Sequence, residues 1–133
     1  MCRLVMIDDN PAEHQLMQQL FEHYGLFDDA AYSLDGRIII DFLKENRAKP
    51  ENLPDLIFLE LHTSGFSGWD FLEQFDRLYL SFGKPVSIYV ISYSTSPQDE
   101  LRALHYPFVR GFLSKPVSKD TLKLLYATYS KIK

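Results

Sequence analysis

Short, solidly apolar runs alternate along this chain with longer stretches in which apolar residues recur every three or four positions. The first kind fits strands buried on both faces, the second amphipathic helices. Cys2 to Ile7, CRLVMI, reads as a buried strand. Asn10 then supplies an N-cap, Pro11 a first helical position and Glu13 the third residue after the cap. Leu16, Met17, Leu20, Phe21 and Tyr24 keep helical spacing, and Gly25 is placed to end that helix. Ala30 to Ser33 is a weaker strand, followed by a helix from Gly36 to about Ala48 with Ile39, Phe42 and Leu43 facing inward. DLIFLE, from Asp55 to Glu60, is the third strand, and Gly68 to about Leu80 the third helix. Pro85 to Ser92 is rich in β-branched residues and reads as the fourth strand. Ser96 caps the fourth helix, with Pro97 first in it and Asp99 placed to complete a capping pair. Phe108 to Ser114 is the fifth strand, and Ser118 caps the last helix.

Five strand-then-helix units of this kind predict an α/β fold: a doubly wound, five-stranded parallel sheet between two helical layers, flavodoxin-like in class. In such a sheet the working site lies at the carboxyl ends of the strands, near the point where strand order reverses. The residues expected there are Asp8 and Asp9 after the first strand, Glu60 after the third, Ser92 at the end of the fourth and Lys115 after the fifth. Three carboxylates brought together repel one another, which a hard divalent cation or a fixed ammonium relieves. A metal and a lysine around a carboxylate suit phosphoryl chemistry, because both neutralise charge on a moving phosphoryl group.

Composition narrows the classes. A chain of 133 residues fits one domain of ordinary size, a single unit over 1–133. No run approaches the roughly 18 to 20 apolar residues of a membrane span. The formal charge of -4 argues against unaided nucleic-acid binding, and the single cysteine, Cys2, fits a reducing cytoplasm. The four histidines show no metal-ligand spacing, although His62 lies two residues past Glu60, within reach of the pocket.

Taken together, MIDDN, DLIFLE, GFSGWDFL, VISYS and GFLSKP resemble the response-regulator receiver domains of two-component signalling. The resemblance implies Asp8 and Asp9 as metal ligands and Lys115 as the phosphate-pairing cation. It implies Ser92 as the switch hydroxyl, Phe112 as the switch aromatic, and a cis peptide before Pro116. It also implies a magnesium site, expected here to be weak or empty. Two positions depart from the family pattern: Glu60 stands where an aspartate accepts the phosphoryl group, and Ser64 stands where a proline is usual. The extra methylene carries the carboxylate outward by about 1.5 Å. Misplacement of about 1 Å can cost a hundredfold in rate. The expectation is therefore an atypical receiver, a single receiver-like domain over 1–133 without an output domain, not an enzyme, acting through partner contacts. The partners implied are a histidine kinase, a phosphotransfer protein or an effector, or a second copy docking through the face of the fourth helix, fifth strand and fifth helix. The alternative is a conventional phospho-accepting receiver that uses magnesium and is phosphorylated by a histidine kinase. A flavin binder needs a phosphate loop where DDNP is acidic, and an aspartyl-nucleophile phosphatase needs two aspartates one residue apart there.

Overall fold

The computed structural model describes residues 3–93 and 96–130. Five parallel strands form one sheet in the order β2-β1-β3-β4-β5. The strands are β1 (Leu4–Ile7), β2 (Ala31–Ser33), β3 (Leu56–Leu59), β4 (Ser87–Ser92) and β5 (Val109–Ser114). Between and after them run α1 (Pro11–Tyr24), α2 (Gly36–Asn46), α3 (Gly68–Asp76), α4 (Pro97–Leu104) and α5 (Lys119–Ser130). This is the doubly wound, flavodoxin-like arrangement that the apolar pattern predicts. Cys2, read as the start of the first strand, lies outside the described residues.

Alternation along β3 divides the core in two. Ile57 and Leu59 point to the layer holding Leu43, Phe71, Phe75 and Ala103 of α2, α3 and α4. Leu56 and Phe58 point to the layer holding Met17, Phe21, Leu122 and Leu125 of α1 and α5. All four β3 side chains are buried, and each such burial stabilises the fold by roughly 1.5–3 kcal/mol. A strand anchored this firmly can carry a charged residue at its end.

The local signals explain the helix boundaries. Asn10 accepts from the Ala12 amide at 3.0 Å at the start of α1. Gly25 ends that helix in the left-handed region at φ 65°, where a side chain is disfavoured. Ser96 and Ser118 cap α4 and α5 as expected. Three details differ from the expectation. Phe42 is exposed, and Ile40 and Leu43 face the core. The reason is rotation: at 100° per residue, Phe42 stands about 200° around the helix from Ile40. Helix α2 stops at Asn46, short of Ala48. Helix α3 stops at Asp76, and Tyr79–Ser81 form a separate tighter turn, its Ser81 amide donating to Leu78.

Candidate functional site

The strand order reverses between β1 and β3, and the polar strand ends gather beside that point. Ile7 and Leu59 are register partners, so Asp8 and Glu60, one residue further on, leave the sheet side by side. Ser92 and Ser114 pair at the end of β5, and the Lys115 amide donates to the Ser92 carbonyl at 2.9 Å. The Lys115–Pro116 peptide is cis. Asp8, Glu60 and Ser92 are all buried.

Lys115 is the hub. Its Nζ donates to Asp8 Oδ2 at 2.7 Å and to Glu60 Oε1 at 3.0 Å, and Glu13 Oε2 stands 3.9 Å away. The Lys115 side chain is only 5% exposed. Burial alone pulls its ammonium towards deprotonation, but the bonds and charges of Asp8 and Glu60 outweigh this and hold it above the ordinary lysine value. The second oxygen of Glu60 accepts from the His62 amide at 3.3 Å. The longer side chain thus curls back on its own loop while still reaching the lysine.

The loop after β3 is held by a close approach. A Cβ on Gly68 would collide with the Glu60 carbonyl and Leu61 Cα, and the Gly68 amide donates to Leu61 at 3.0 Å. The Ser67–Asp70 capping box fixes the start of α3 immediately afterwards. The same loop reaches two other elements. His62 Nε2 lies 2.9 Å from Asp99 Oδ2 on α4. Ser64 donates to Asp9 Oδ2 from both its amide and its hydroxyl, each at 2.9 Å. The Ser64 amide is the largest influence on Asp9 and outweighs its slight burial, drawing the carboxyl below the usual range.

Asp8 and Glu60 therefore meet on Lys115, whereas Asp9, expected as the third acid of the cluster, is turned to Ser64. No group of three acid, histidine or cysteine side chains among the described residues is arranged to hold a metal. A magnesium ion at these acids would compete with the Lys115 ammonium. Such an ion prefers an open octahedral set of oxygens, and here the ammonium bridges two of the acids. Phe112 is half-buried on β5, packed against the α2–α3–α4 layer.

Two neighbours of the site escape the sequence reading. Glu13 reads as a capping residue, and Tyr93 as core or interface filler. Instead Tyr93 is 61% exposed, its hydroxyl donates to Glu13 Oε1 at 2.6 Å, and its ring lies 5.0 Å from Lys115 Nζ. The bond to Glu13 raises the Tyr93 phenol above its ordinary value. An acid in the first turn of the first helix was the available signal for Glu13. Nothing in the sequence marks Tyr93. His14 is buried beneath the site, its Nε2 2.7 Å from the Asp8 carbonyl.

Comparison with known proteins gives one consistent result. The pattern of the family described as "Response regulator receiver domain" matches residues 4–127. The probable methanogenesis regulatory protein FilR2 of Methanothrix harundinacea is 28% identical over 120 residues, which cover 90% of this chain and 76% of that protein. The peroxide stress-activated histidine kinase mak3 of Schizosaccharomyces pombe is 23% identical over 128 residues, 96% of this chain but 5% of that protein. A two component response regulator from Cytophaga hutchinsonii superposes with a TM-score of 0.85 at 20% identity, covering 98% of both chains. At that identity the superposition speaks for the fold.

Proposed function

This chain belongs to the family of response regulator receiver domains, and from that premise we propose that its state is not set by ordinary aspartyl phosphorylation. Receiver domains are modules of two-component signalling that work with histidine kinases, phosphotransfer proteins and effectors. One observation carries the reading: Glu60, at the phosphoacceptor position, is bonded to Lys115 together with Asp8. A phosphoaspartate would bring about -1.5 to -2 charges and three acceptor oxygens to this lysine. Glu60 brings one charge and two oxygens, and one of these is on Lys115 while the other accepts from His62. The longer side chain stands where the phosphoryl group would be received.

The message then passes through contact. Any shift between conformations equals the difference in the contacts a partner makes with each. Leu101 and Leu104 lie exposed and three residues apart on α4. They support docking of a partner, or of a second copy, through the face of α4, β5 and α5. Magnesium has a weak claim on the site while Ser64 holds Asp9 and Lys115 bridges Asp8 to Glu60.

Glu60→Asp tests the proposal. Both forms are incubated with acetyl phosphate and magnesium, and the intact proteins are weighed. The expected result is a phosphoryl mass on the variant alone. Ready phosphorylation of Glu60 in the natural chain would return the protein to the conventional class, with a histidine kinase as donor.

A further inference from the structure

At the amino ends of β3, β4 and β5, on the opposite end of the sheet from Glu60, a cavity of about 480 Å³ opens between the strand starts and the last turn of α5. Asp55, Lys84, Pro85, Ser87, Arg110 and Tyr129 are among the residues lining it. Its volume falls within the roughly 300–1,000 Å³ typical of small-molecule sites. A recess of about 190 Å³ adjoins it and shares Pro85, Ser87 and Arg110. Arg110 therefore stands where the two hollows meet.

The polar groups are arranged unevenly. Asp55 is engaged on both oxygens, Oδ1 by Lys84 Nζ and Oδ2 by the Arg3 amide, each at 2.8 Å. The Tyr129 hydroxyl pairs with that of Tyr89 at 2.9 Å, so its ring presents an apolar wall. The Pro85 ring and the aliphatic stems of Lys84 and Arg110 add to that wall. Among the described residues, two cations and one carboxylate line the cavity, which gives it a positive excess in a chain whose formal charge is -4. Attraction of an anion here is local, since the field of the whole protein opposes it. Arg110 is exposed, and its guanidinium presents a planar fork of donors that matches a carboxylate, sulfonate or phosphate.

We propose that this cavity is a binding site for a small amphipathic anion, with the anionic group on Arg110 and a flat apolar body against Pro85 and Tyr129. It is separate from the Asp8–Glu60–Lys115 cluster and does not depend on the reading of Glu60.

The test uses the full chain and two fluorescent probes with closely related apolar bodies. These are 8-anilinonaphthalene-1-sulfonate and the uncharged N-phenyl-1-naphthylamine. Saturable binding of the sulfonate is expected, with amide chemical-shift changes at Ser87, Arg110, Thr128 and Tyr129. Arg110→Ala should weaken it by about tenfold or more, as loss of a charge-assisted pair does. Arg110→Lys should fall between the two, because charge is kept and the fork is lost. The exposed position of Arg110 makes both variants compatible with folding, which the amide spectra verify. Absence of saturable binding, equal binding of the neutral probe, unchanged affinity in Arg110→Ala, or shifts confined to other surfaces would each overturn the proposal.

Discussion

The two ends of the sheet each carry a lysine closed on an aspartate, and at the level of distance the pairs are nearly the same. Lys115 and Asp8 meet at 2.7 Å, Lys84 and Asp55 at 2.8 Å. Their surroundings separate them. Around Lys115 stand a second carboxylate at 3.0 Å and a third at 3.9 Å, and its side chain is 5% exposed. Around Lys84 the side chain is 18% exposed, and the aspartate it meets is also satisfied by a backbone amide. The Lys115 ammonium holds together two acids that would otherwise repel one another, while Lys84 closes on a carboxylate whose other oxygen a backbone amide satisfies. An ion pair thus shows its purpose through the balance of charge around it rather than through its length.

The strongest way to break the comparison is to remove each ammonium while keeping a stem of similar size. Lys115→Met leaves Asp8 and Glu60 buried together without a cation. A loss of about 3–5 kcal/mol in urea unfolding near neutral pH is expected, the usual cost of stranding a buried charge. Lys84→Met should cost only about 1–2 kcal/mol, the scale of one partly exposed charged hydrogen bond. Equal losses in the two variants would show that the pairs are equivalent.

Alkaline titration gives a smaller effect. The Lys115 ammonium is held above the ordinary value of 10.5 in the folded protein. Its contribution is fully present below the unfolded pKa and is lost as the pH rises through the folded one. The gap in urea midpoint between the natural protein and Lys115→Met should therefore stay constant up to about pH 10 and narrow above it. Comparing the two proteins cancels the tyrosines that lie away from Lys115. A gap unchanged to about pH 12 would mean that Lys115 does not titrate with folding.

The smallest change sharpens the carboxyl-end site alone. Ser64→Pro removes both donors to Asp9, since proline has neither the amide hydrogen nor the hydroxyl. The Asp9 carboxyl, now below the ordinary value of 3.8, should move back up towards it in a carbon-detected titration. The stability that the lowered value contributes, present above the unfolded pKa and lost as the pH falls through the folded one, should vanish with it. An Asp9 titration that ignores the substitution would mean that Ser64 does not control this acid.

Most of the fold was legible in the letters. Runs such as LIFL, all four residues buried, can be satisfied only between two helical layers, and caps such as Asn10, Ser96 and Ser118 announce their helices through local hydrogen bonds. Helix ends were less legible, because α3 gives way to a separate tight turn whose hydrogen bonds the periodicity does not encode. Asp8, Glu60, Ser92 and Lys115 could be placed at one end of the sheet because strand direction and strand end are properties of the chain itself.

Which of those groups bond to which was decided only in three dimensions. The sequence put Asp8, Asp9 and Glu60 in one neighbourhood, and side-chain reach then divided them: two acids on Lys115, one on Ser64. Tyr93 over the lysine and His62 against Asp99 depend on where loops from different units come to lie. Tyr93 and Glu13 meet there across 80 positions, and Lys115 and Asp8 across 107. Periodicity and capping are short-range, set within a few residues of backbone. The partner of a buried charge is set by whatever the packed layers bring within about 3 Å of it.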